Sequence, residues 1–165
     1  VFILGFFVSK LSPTACKAIF IAYSVVNGIT ITPALIVYGA QSAFYAFAAT
    51  ALIFGAMTLY GMVTKRDLTK LGTVLFIGLI GLLIYSVIAM LFHMPMSDLL
   101  ISIIGIVLFV GFTAYDTQKI KRYYASFSGD EVSLQKTAII AALDLYLDFI
   151  NLFLYILRLF ARNNN

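Results

Sequence analysis

From Ala18 to Thr64 the chain carries no charged side chain at all. That stretch is too long for one core helix, and it accommodates two bilayer-crossing helices of roughly 20 residues each. The rest of the composition agrees. Hydrophobic residues make up 62% of the 165, the mean hydropathy is +1.04, and only 11% of residues are charged. A soluble domain carries about 25% charged residues, so this chain cannot cover itself with polar surface. The fold class is all-α: a polytopic transmembrane helix bundle in one domain.

Apolar runs and polar punctuation divide the chain. Residues 1–8 form an apolar stub too short to span. No basic segment or small-residue cleavage site precedes it, so it reads as the tail of a helix and not as a signal peptide. Spans are expected at about 14–38, 43–63, 71–92, 99–120 and 134–160. Turns and loops fall at 9–13, 39–42, 64–70, 93–98 (with Pro95 as the breaker) and 121–133, the last being the longest.

In a membrane chain the net charge of +4 is a topology signal, not a sign of nucleic-acid binding. If the spans alternate, Lys10, Lys17, Lys65, Arg66, Lys70, Lys119, Lys121, Arg122 and Lys136 share one side. The turns on the other side hold no Lys or Arg. The positive-inside rule makes the basic side cytoplasmic. Arg158 and Arg162 depart from the pattern, and the apolar run Thr137–Leu157 is nevertheless long enough to cross.

Polar residues inside the spans narrow the function. In the last helix Asp144, Asp148, Asn151, Tyr155, Arg158 and Arg162 follow one another at steps of three and four, so they share one helix face. Ser102, Gly105, Thr113 and Asp116 give the preceding span a weaker stripe, whose small residues permit close helix approach. A dozen residues join the two helices, which makes them antiparallel neighbours and lets Asp116 meet Asp144 or Asp148. An unpaired carboxylate at mid-membrane costs about 2.5–3.5 kcal/mol on insertion scales, so Asp148 marks a functional site by default. Two plainer readings stand beside this one. Asp116 is also placed to pair with Lys119 or Lys121 at the helix end, and Asp144 to hydrogen-bond locally for packing. Asn27, Thr30, Thr32 and Pro33 read as a helix kink, with a lining role as the alternative. His93 sits in a turn and has no assigned role.

The inventory argues against an enzyme. There is no His within a span for a serine or zinc protease, and no lysine deep in the last helix for a Schiff base. The aspartates stand in "AYDTQ" and "YLDFI", without the adjacent Gly of intramembrane aspartyl proteases. The single Cys16 excludes an internal disulfide and a cysteine metal cage.

The segments "GITITPALIVY", "TKRDLTKLG", "GFTAYDTQKIK" and "LYLDFINLFLYILRLF" together resemble the Bax inhibitor-1 family in its bacterial form, over essentially the whole chain. The resemblance implies a seven-helix fold whose last helix is central, with the first helix and most of the second absent from this chain. It implies a location in the bacterial inner membrane. It also implies a functional pair at Asp116 and Asp148, with Asp144 an additional carboxylate. Members are described as pH-sensitive calcium leak channels, and some as modulators of cell death or of membrane proteases.

These readings combine into an expected mechanism. Two carboxyls at short range in a desolvated site cannot both ionise cheaply, so Asp116 and Asp148 share a proton as pH sensor and gate. The ionised pair repels or recruits a cation. Calcium wants six to eight oxygens. Asp116 and Asp148 would bind it weakly and transiently, with Asp144 and Asn151 further along the ion path. Its role is transported ion, not cofactor. The alternative is a non-transporting regulator that binds a membrane protease or another stress or cell-death partner.

Overall fold

A computed structural model describes residues 11–93, 98–126 and 131–163, all but the connections in helices. The stub at 1–8, Lys10, Pro95 and residues 127–130 of the expected long loop lie outside the described residues, as does the side chain of Arg162. Among the described residues five helices run in order: α1 Pro13–Tyr38, α2 Ala40–Val63, α3 Thr69–Leu91, α4 Asp98–Ser126 and α5 Glu131–Asn163. Each is long and apolar enough to cross a membrane.

Local chemistry explains the boundaries. Ser12 caps α1 by accepting the Ala15 N–H at 3.2 Å, and Pro13, which has no N–H to satisfy, opens the first turn. Gly39 joins α1 to α2 in a single-residue turn at φ 81°, a conformation that side chains other than glycine rarely adopt. Before α3, Asp67 Oδ1 accepts both the backbone N–H and the hydroxyl of Thr69, at 3.0 and 2.6 Å.

The last two helices differ most from expectation. Residues 121–126 continue α4, and 131–133 already belong to α5, where a loop was expected over 121–133. Lys121 and Arg122 are therefore helical, like Lys119, and hold fixed positions relative to Asp116. Pro33 does not end α1. The hydroxyls of Thr30 and Thr32 bond back to Val26 O and Gly28 O, both at 2.9 Å, and both residues are exposed on the outer surface. Both hydroxyls thus serve their own helix.

Packing centres on a helix pair. α5 packs against α4, α2 and α1, while α4 packs against α5, α2 and α3. The main core joins Leu75 and Leu82 of α3, Phe109 and Phe112 of α4, and Leu152 and Leu157 of α5. A smaller cluster of Cys16, Ile139 and Leu143 fixes the start of α1 to α5, and Phe20 and Tyr23 meet Tyr146 edge-on at 5.8 and 6.4 Å. Water drives none of this within lipid, so close contact must do it. Gly105 shows the principle: Tyr155 of α5 lies where its Cβ would be, 2.6 Å from ring carbons, and stacks on Phe109 at 5.9 Å.

Candidate functional site in the α4–α5 seam

The α4–α5 packing brings the sequence-predicted carboxylates together. Asp116 is 9% exposed and Asp148 5%, and their carboxyl groups lie within hydrogen-bonding reach of each other. Two ionised carboxylates have no hydrogen to share, so a hydrogen bond between them would need a proton on one of the two. Among the described residues no N–H or O–H of another side chain or of the backbone reaches the buried Asp148 Oδ2. A buried polar atom left unsatisfied costs about 1–3 kcal/mol.

Asp144 has a partner that helical spacing on α5 did not disclose. Lys119 Nζ lies 3.2 Å from Asp144 Oδ2 and 3.8 Å from Asp116 Oδ1. The plainer reading of Asp116, as the mate of Lys119, is thus realised alongside its meeting with Asp148. Lys121 takes no part, because its ammonium donates to Met62 O at 2.8 Å. The available signal was the three-residue step from Asp116 to Lys119. It pointed to one pair, whereas the lysine bridges two helices.

Space surrounds this group on more than one side. A cavity of about 340 Å³ lies between α3 and the α4–α5 seam. Phe76, Leu79 and Leu83 form its apolar wall, and Asp116, Asp144, Asp148 and Asn151 face them. A second space of about 230 Å³, toward the end of α4 and the beginning of α5, is lined by Asp116, Lys119, Tyr123, Thr137 and Asp144. Asp116 and Asp144 border both, and Lys119 stands with them at the divide. Asn151 donates its amide to Leu147 O at 2.8 Å, which leaves its carbonyl oxygen as the atom it can offer. Arg158 does not join the acidic group and lies 5.7 Å over the Tyr155 ring.

Among the described residues no group of three or more His, Cys, Asp or Glu side chains is arranged to hold a metal ion. The carboxyls of Asp116 and Asp148 fall well short of the six to eight oxygens that calcium takes. A cation meeting them would need water for the remainder.

A family model described as inhibitor of apoptosis-promoting Bax1 matches residues 1–165. The chain belongs to the Bax inhibitor-1 family. Bacterial relatives agree. It is 43% identical over 162 residues to the inner membrane protein YbhL of Escherichia coli K12, covering 98% of this chain and 69% of that protein. It is 40% identical over 157 residues to a protein of Borreliella burgdorferi, covering 95% and 68%. A membrane protein of Streptococcus pyogenes serotype M1 is 38% identical over 164 residues, covering 99% and 70%. Within this Bax inhibitor-1 chain, the acidic group sits between the two most central of the described helices.

Proposed function

We propose that the protein is a pH-sensitive calcium leak pathway of a bacterial inner membrane, with the Asp116–Asp148 pair as its proton-operated gate. One observation carries the reading: two buried carboxyls face each other within hydrogen-bonding reach in the α4–α5 seam, beside a cavity that both line. The inner-membrane location follows the relative in Escherichia coli.

With a shared proton, the pair bridges α4 and α5. Without it, two negative charges face each other in a poorly solvated seam, and their repulsion is relieved by separation or by a cation. A calcium ion would find the oxygens of Asp116, Asp148 and Asn151, with Asp144 at the divide between the two spaces. So few protein oxygens bind weakly, which suits passage. No covalent step is assigned to any residue. The test is calcium flux into liposomes containing the purified full-length protein, across a pH series. Flux that depends on pH in wild type, and loses that dependence in Asp116→Asn and Asp148→Asn, is expected. Absence of flux at every pH would overturn the reading in favour of a non-transporting regulator.

A further inference from the structure

A second site lies away from the acidic seam, where α2 passes into α3. The connection 64–68 is held by two side chains from α4, Gln118 and Arg122. Gln118, buried at 7% exposure, accepts the Leu68 N–H at 2.9 Å and donates to Arg66 O at 2.7 Å. Arg122 Nη1 adds contacts to Asp67 Oδ1 and Thr69 Oγ1 at 2.9 and 2.6 Å. The connection therefore forms a fixed wall facing the end of α4. Between them is a cavity of about 420 Å³ lined by Lys65, Arg66, Asp67, Gln118, Lys121 and Arg122 among others.

Four cations and one carboxylate converge there. Asp67 is held below the usual carboxylate range, first by the Thr69 hydroxyl and backbone N–H and then by Arg122, so its charge is already engaged. Lys121 also has a protein acceptor, Met62 O. A topology signal needs only basic residues somewhere in the connection. It does not need a buried glutamine that gathers them around a cavity. Gathering like charges costs Coulomb energy unless an anion sits among them.

The surroundings select the anion. Met62 and Val63, the last residues of α2, are apolar and exposed at 52% and 76%. Their helix is long and apolar enough to cross a membrane, so the cavity opens where such a helix ends. A ligand there meets cations on one side and hydrocarbon on the other. We propose that this cavity seats the phosphate of an anionic phospholipid headgroup, with Lys65 and Arg66 as the principal contacts and the acyl chains running down α2.

The test uses the full-length protein in detergent, titrated with phosphatidylglycerol or phosphatidylcholine and read by native mass spectrometry. Phosphatidylglycerol should bind preferentially. The double change Lys65→Gln with Arg66→Gln should weaken that binding about 30-fold, as two basic contacts to an anionic lipid imply. Lys17→Gln with Lys70→Gln removes the same charge outside the cavity and should leave it unchanged. In wild type, phosphatidylglycerol should also shield Lys65, but not Lys17, from an amine-reactive label, a readout that needs no variant. Equal loss in both double variants would mean diffuse attraction and overturn the site. Displacement of the lipid by millimolar inorganic phosphate, which then binds alone, would assign the cavity to a soluble phosphate compound and overturn the lipid.

Discussion

The Lys119 ammonium lies 3.2 Å from Asp144 Oδ2, tying α4 to α5 beside the Asp116–Asp148 contact. Helical spacing had offered Asp116 or a local hydrogen bond to Asp144, and the family resemblance had left it as an additional carboxylate. With Lys119 in place, the group contains three acids and a tethered cation, and that cation already occupies oxygens a calcium ion would use. Lys119→Met should therefore raise calcium affinity, measured by equilibrium binding to the purified full-length protein. Unchanged or weaker binding by a normally folded variant would count against the competition. Both partners are about one-third exposed, so their coupling in a double-mutant cycle with Asp144→Asn should be modest, about 0.5–1 kcal/mol.

Asp148→Asn should separate stability from function. An amide in that place keeps the size, brings a donor toward Asp116 and removes the need for a shared proton. Thermal unfolding in detergent should show no loss of stability, while the pH dependence of flux disappears. Asp116→Asn should flatten the same profile, and the double change should add little, because one broken partner already disables a two-residue element. A double variant whose losses simply add would show that the two act independently.

Gln118→Ala should loosen the α2–α3 connection without touching the acidic seam. It leaves the Leu68 N–H and Arg66 O without their partner, at a cost of about 1–3 kcal/mol. Amide exchange at Leu68 should accelerate sharply, and exchange at Leu152 in the core should not. Equal acceleration at both would mean that Gln118 supports the whole bundle.

Asp67 supplies a pH control. Its carboxyl is held below the ordinary range, so what it adds to stability is complete above about pH 4, the unfolded value. The contribution is lost only as pH falls through the lower folded value. No titration near neutrality should come from it. Asp67→Asn should leave the pH profile of flux between about 5 and 8 in place, and a flattened profile would relocate the sensor.

Much of this was legible from composition and spacing. A long uncharged stretch, polar punctuation and a three-four stripe suffice to set out a helix bundle and to aim Asp148 at a neighbour. Antiparallel helices let Asp116 meet Asp144 or Asp148, and the choice of Asp148 came from the family resemblance. Lys119 bridging to Asp144 was not legible, because helical spacing shows neighbours on one helix, here Asp116 three residues away, and not the residue that faces it from the next helix. Gln118 was missed for a different reason. Its partners lie 50 and 52 residues away, and a polar side chain at a helix exit looks like any solvated residue until the fold closes over it.

The anchors of α3 described above come from α4: the core contacts of Leu75 and Leu82, and the bonds of Gln118 and Arg122 to the connection that leads into it. The cavity separates α3 from the acidic face of α5. Displacing α3 would forfeit its contacts with α4 and leave the α4–α5 interface intact. The free energy of exposing Asp148 and the free energy of unfolding are thus distinct quantities in this architecture, and a substitution on α3 can change the first while leaving the second almost untouched.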